Sequence, residues 1–337
     1  MKRIALISLF WFVLMASVCL TRAETNTYNF GIAKITVSKR TFRIDRPQYT
    51  YACIGHSETN YGGQARAVAV SDNFAYLVNS ADGMRIFDVS NPTTPRCVGH
   101  PTNREYAQGI AVSDKRVYLA SDRGLRIYDV SDPTNPVGGK TFGAAANGVA
   151  VSGNYAYLAQ RDEGLAICDV SDAAHPVIVA QTNNGGAGYG VALSGNHAYL
   201  ANANDGLRVY DVSDPAHPVN TAHVEGYVLG VAVSSNLVYL AGGGLQIFDA
   251  SNPTNLVQLA QTNNSGMTIS VALLGNRAFV ANQMGCVRVY DVTDPSHPFY
   301  LADTTTNDGP SSMVGVAVSG DTIYHANGKD GLRIHSR

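Results

Sequence analysis

One phrase of five residues recurs along this chain with a period near 40, and that recurrence limits the fold more than any other feature. It reads Met84-Arg85-Ile86-Phe87-Asp88, Leu125-Arg126-Ile127-Tyr128-Asp129, Leu165-Ala166-Ile167-Cys168-Asp169 and Leu207-Arg208-Val209-Tyr210-Asp211. Further copies are Leu245-Gln246-Ile247-Phe248-Asp249, Val287-Arg288-Val289-Tyr290-Asp291 and a shortened Leu332-Arg333-Ile334-His335. The six aspartates fall 41, 40, 42, 38 and 42 residues apart. A fixed period of this length without helical patterning belongs to repeat architectures built from small sheets.

A single repeat resolves into four short strands. In the fourth copy, Gly190-Val191-Ala192-Leu193-Ser194 is followed by a Gly195-Asn196 turn, and His197-Ala198-Tyr199-Leu200-Ala201 reads as buried sheet. Asn204-Asp205-Gly206 supplies a hairpin turn. The third strand then runs into Ser213-Asp214-Pro215-Ala216-His217-Pro218, where the prolines end the ladder. Pro176-Val177-Ile178-Val179-Ala180 in the preceding copy shows the fourth strand. Four antiparallel strands per ~40 residues describe a propeller blade. The expected fold is all-β, a seven-bladed β-propeller.

The last blade runs out at Arg337, after its third strand, while Ala52-Cys53-Ile54-Gly55-His56 repeats the pattern of Arg96-Cys97-Val98-Gly99-His100. The N-terminal segment is therefore expected to complete the seventh blade and close the ring, covering an edge that would otherwise be exposed. Residues 24–48 have no repeat counterpart and read as a tether or an extra edge strand.

The segment Gly206-Leu207-Arg208-Val209-Tyr210-Asp211-Val212-Ser213-Asp214-Pro215, preceded by Tyr199-Leu200-Ala201, resembles the LVIVD-repeat family of secreted and surface-associated prokaryotic propellers. The resemblance spans about residues 49–337 and rests on seven occurrences of the motif. It implies the propeller fold but carries no catalytic residue onto this chain. Departures are the Gly242-Gly243-Gly244 turn of the short fifth repeat and the Met284-Gly285-Cys286 turn of the sixth.

Residues 1–23 read as an export signal: Lys2 and Arg3, then an apolar run from Ile4 to Leu20, then Thr21-Arg22-Ala23 with small residues at the cleavage positions. An uncleaved anchor is the competing reading, and a lipid-anchored Cys19 is disfavoured by the bulky Val18 before it. Cleavage would leave 21 basic against 26 acidic residues, with no basic patch. Nucleic acid is therefore not an expected partner, and no membrane span is expected once the leader is removed. The expected location is secreted, periplasmic or at the cell surface. Cys53, Cys97, Cys168 and Cys286 match no metal spacing and are expected to be buried free thiols.

A residue written into every blade builds blades. Asp88, Asp129, Asp169, Asp211, Asp249 and Asp291 are therefore expected to cap the turns that follow them. Tyr76, Tyr118, Tyr157, Tyr199, Tyr239, Phe279 and Tyr324 are expected to pack between blades. His175, His217 and His297 share one turn position in separate blades and cannot converge on one ion. His325 stands where the other copies have an aliphatic, and reads as the mark of a looser closing blade. No acyl-transfer elbow, zinc motif or phosphate loop appears, so no catalytic residue, metal or cofactor is expected.

Irregularity gathers on one face, in the connections at 58–64, 101–108, 141–147, 181–189, 223–229, 261–269 and 303–314. Their turn partners bring Asp82, Asp122, Asp162, Glu163, Asp205 and Asp330. A slot before each first strand holds Arg66, Gln108, Asn147, Tyr189, Leu229, Ile269 and Val314, polar or aromatic in four blades and apolar in three. Loops on a rigid scaffold carry binding residues. The candidate ligand-binding set is thus Arg66, Tyr106, Gln108, Asn147, Tyr189, Asp82, Asp122, Asp162, Glu163 and Asp205. It is expected to hold a protein or carbohydrate partner without catalysis. The alternative is a hydrolase or lyase acting on a saccharide or lactone, with Asp122, Asp162 and Glu163 as acid and base.

Overall fold

The structure is a computed structural model. It describes residues 49–57, 63–101, 105–183, 186–263, 266–304 and 314–337, and the backbone of 26–29, 34–38 and 41–45. The export signal expected at 1–23 lies outside the described residues. Two units emerge, Met1–Tyr49 and Thr50–Arg337. In the first, Asn26–Asn29, Lys34–Ser38 and Thr41–Asp45 pair in order as a three-stranded antiparallel meander. The segment expected to be a tether or a single edge strand is instead a small sheet of its own. Its Thr-, Ile- and Val-containing strands form hairpins with each other, which a lone strand cannot do.

The second unit is the seven-bladed propeller, each blade a four-stranded antiparallel sheet. In blade one the strands Ala67–Ser71, Phe74–Val78, Met84–Asp88 and Arg96–Gly99 follow one another from the axis outward. The innermost strand of every blade contacts the innermost strands of both neighbours, so the seven line one channel. The backbones there nearly touch, which explains the glycines. A Cβ on Gly109 would lie 2.4 Å from the Asn147 carbonyl oxygen, and one on Gly148 would lie 2.5 Å from that of Tyr189. Gly230 is held the same way against Ile269, and Gly315 against Arg66 and Ala67.

Between blades the core is apolar, and the repeated aromatic of the second strand does the joining. Tyr76 packs with Val117 and Leu119 of the next blade, Tyr118 with Ala156 and Leu158, and Tyr157 with Ala198 and Leu200. Tyr199, Tyr239 and Tyr324 continue the series, the last reaching Ala75 and Leu77 of blade one. As the repeated slot implied, these tyrosines are mortar.

Closure follows the expected route. Ala52–Ser57 pairs antiparallel with Leu332–Ser336 as the outer strand of blade seven. A bulge confirms that this is a true blade strand. The register shifts between Ile334 and His335, as it does between Ile86 and Phe87, Ile167 and Cys168, and Val209 and Tyr210 in complete blades. Such a bulge bends the outer strand around its neighbour. Gly55 then abuts blade one, where a Cβ would meet the Pro92 carbonyl oxygen at 1.9 Å; Gly99 meets Pro133 likewise one blade on. Blade two departs from the pattern, its outer strand being only Val137–Gly138. Gly138 and Gly139 weaken the strand, and Phe142 restores pairing through a bridge to Leu125.

The first hairpin of every blade turns on a left-handed residue: Asp72, Asp114, Gly153, Gly195, Ser235, Gly275 and Gly320, all with φ between 48 and 55°. These short turns make one face of the ring uniform.

Candidate functional site

The channel opens on the opposite face into a cavity of about 450 Å³. Six of the seven rim residues, Arg66, Gln108, Asn147, Tyr189, Leu229 and Ile269, line it together with the inner strands. The sequence slot thus maps onto one site, polar across blades one to four and apolar at Leu229 and Ile269. Asn147 donates its amide to the Gly188 carbonyl oxygen at 2.8 Å, which fixes the side chain and leaves its own carbonyl as an acceptor.

Sequence reasoning passed over one lining residue, Arg161. It lies in the second-to-third turn of blade three, one position past Gln160, which pairs with Ala146 beside the rim. Its backbone N–H donates to the Ala145 carbonyl oxygen at 3.2 Å, drawing the turn against the channel. Burial lowers the pKa of Arg66, and the charge of Arg161 lowers it further, with Tyr106 opposing weakly. Two guanidinium groups therefore share the mouth, and no carboxylate, imidazole or thiol lines it among the described residues.

The acidic candidates lie elsewhere. Asp82 accepts hydrogen bonds from Asn79 at 2.9 Å and Arg85 at 2.7 Å and faces His100 at 3.3 Å. Asp205 repeats this with Asn202, Arg208 and His223, and Asp330 with Asn327, Arg333 and His56. This Asn–Asp–Arg–His set pins the second-to-third turn to the outer strand in blades one, four and seven. Burial works to raise the pKa of Asp205, but the hydrogen bonds from Arg208 and Asn202 prevail and hold it down. Asp122 accepts the Tyr106 N–H at 3.1 Å, so the exposed Tyr106 ring stands on a braced backbone beside the rim. Glu163 accepts from Gln181, and Asp162 is exposed. Glu105, not singled out from the sequence, is buried and binds Arg126 at 2.9 Å and the Thr141 hydroxyl.

The scaffold readings hold. Each repeated aspartate accepts the N–H two residues on, from Ser90, Ser131, Ser171, Ser213, Ser251 and Thr293, at 2.8–3.0 Å. The serine hydroxyl and N–H hold Asp88, Asp129, Asp169, Asp211 and Asp249 below the usual carboxylate range. His175, His217 and His297 are exposed and each binds its own turn aspartate. No group of three metal-ligating side chains occurs among the described residues.

Two expectations need correction. The four cysteines are free, but only Cys168 is buried, its thiol pushed up to about 12 by burial. Cys97 is exposed and Cys53 and Cys286 are half-buried, because outer strands and turns face solvent. Blade seven is not loose around His325, which is fully buried on the second strand, paired with Val316 of the first strand and Arg333 of the third.

A family model described as LVIVD repeat matches residues 62–101, 105–139, 143–184, 185–224, 225–262 and 265–306. Among solved structures, the RRP9 WD40 repeats align with a TM-score of 0.69 at 13% identity, covering 86% of this chain and 99% of that one. The computationally designed Ika8 protein aligns with a TM-score of 0.59 at 10% identity over 94% of both chains. At these identities the likeness is one of fold. No curated protein matches the sequence.

Proposed function

The chain belongs to the LVIVD-repeat family, and on that premise we propose that it is a non-enzymatic, exported propeller that holds a protein or glycan partner over the channel mouth. The observation that carries this reading is the asymmetry of the rim, where Arg66, Gln108, Asn147 and Tyr189 form a continuous polar and aromatic arc facing Leu229 and Ile269. A preformed concavity with a few polar groups on an apolar wall is the usual form of a binding site. The opposite face repeats the same short left-handed turn from blade to blade. The hydrolase or lyase alternative gains no support from the lining, since Asp122, Asp162 and Glu163 lie outside it. Export rests on the leader-like residues 1–23, and no helix among the described residues is long and apolar enough to cross a membrane.

Partner capture from the producing cell's surface extract tests the site. The Arg66→Ala/Tyr106→Ala/Tyr189→Ala protein should lose the partner. A His175→Ala/His217→Ala/His297→Ala protein, altered on the uniform face, should keep it. Equal capture by both would overturn the assignment of the face.

A further inference from the structure

We propose that blade seven is an acid-operated latch: in mild acid the closing strand Ala52–Ser57 leaves Leu332–Ser336 and the ring opens there, while the other six blades keep their outer strands. The latch is independent of the channel mouth. Blade seven is the one blade whose outer strand comes from the far end of the chain. In the other six, a turn carries the third strand directly into the fourth, so chain connectivity keeps the two together. In blade seven the pairing itself must do so.

The junction beside this strand holds two groups that acid can charge. His325 and His335 are buried side by side. Blade five meets blade six through Tyr239, Ala241, Leu245 and Ile247 on one side and Ala278, Val280 and Tyr290 on the other. His325 and His335 hold the places of Val280 and Tyr290, so they face the equivalent wall of blade six, which is Phe279, Ala281, Val287 and Val289, all buried. That wall is apolar, and Phe279 is the one copy of the repeated aromatic without a hydroxyl. Within blade seven, His325 pairs with Val316 of the first strand and Arg333 of the third, and His335 with Ile323 of the second and Cys53 of the closing strand. Asp330 binds the Arg333 guanidinium and also faces His56. Arg333 works against a proton on His335, and His335 against one on His325.

Strand release and proton uptake are coupled because the closing segment covers the pair. Tyr51, the residue before the strand, is bridged to Thr304 of blade six, and its backbone reaches His335. When the strand lifts, water reaches the imidazoles, which then take up protons near their ordinary value of about 6.5. Acid therefore draws the blade toward its open form. The same two places in blades one to six hold Leu, Val, Phe, Tyr or Cys, none of which takes up a proton in this range.

Hydrogen–deuterium exchange of the full chain at pH 7.5 and 5, corrected for the intrinsic rate, tests the latch. Protection across Ala52–Ser57 and Leu332–Ser336 should fall at least roughly thirtyfold, the effect of one ring taking up a proton about 1.5 pH units below its ordinary value. Val219–Val224, the outer strand of blade four, should keep its protection. His325→Leu/His335→Phe, which writes in the residues of blade one, should leave the closing strand protected at pH 5. Unchanged protection of the closing strand, an equal loss in blade four, or a loss in the double variant as large as in the unaltered chain would each overturn the proposal. The comparison between blades needs no variant, so it decides the matter even where the substitutions prevent folding.

Discussion

The rings of His325 and His335 lie 5.9 Å apart inside blade seven, both fully buried. They occupy slots that hold Leu77 and Phe87 in blade one and Leu158 and Cys168 in blade three. Neither ring nitrogen of His325 has a hydrogen-bond partner among the described residues. Burial, then the neighbouring His335, pushes the pKa of His325 down to about 3. Burial and Arg333 bring His335 down to about 4 against a weaker pull from the Tyr51 backbone.

These imidazoles make the closing blade acid-sensitive. Unfolded histidine takes up a proton near pH 6.5 while the folded pair stays neutral to about 4 or below. Their contribution is therefore complete above pH 6.5 and falls as pH drops toward 4. The loss is about 1.4 kcal/mol per pH unit for each fully buried ring. Urea unfolding at pH 7.5 and 5 should show this fall. His325→Leu, which restores the residue of the other blades, should roughly halve it. An unchanged slope would mean that water reaches the ring.

Removing residues 1–57 should leave blade seven with three strands and an open edge. The melting midpoint should fall and association should appear in size-exclusion chromatography. Gly55→Leu probes the same contact without truncation. With Pro92 in the way, it should cost about 1–3 kcal/mol.

At the uniform face the backbone demands φ near +50° at seven equivalent sites, and three lack glycine. Ser235→Gly should therefore stabilise by about 1 kcal/mol in thermal unfolding, whereas Gly148→Ala on the inner strand should destabilise by about 1–3 kcal/mol. Both remove or add one side chain; only the second meets a carbonyl, 2.5 Å away.

The acids singled out from the sequence should separate by mutation. Asp205→Ala strips Asn202, Arg208 and His223 of a shared acceptor and should cost about 1–3 kcal/mol. Asp162→Ala, at an exposed turn, should stay within about 0.5 kcal/mol. Equal effects in chemical denaturation would show that the three-residue set does not brace the turn.

The candidate site was half legible before the fold was known. The rim slot could be read because it sits at a fixed offset from a repeated strand, so Arg66, Gln108, Asn147 and Tyr189 aligned by counting. Arg161 could not, since a turn residue's reach depends on how that turn leans on the next connection. Asp82 and Asp205 looked like free acids because the histidines that complete their sets, His100 and His223, lie 18 residues away on another strand.

The sequence by itself determined the blade, its number and its closing strand. Each follows from local periodicity: alternating apolar residues, turn chemistry, and a recurring Cys-Val/Ile-Gly-His strand. Only the tertiary structure decided which charges face the channel. Charge placement depends on contacts between segments far apart in the chain: before the turn glycine, Asp205 is bound by Arg208 three residues on, whereas Glu163, with Ala166 at that place, accepts from Gln181 of the outer strand.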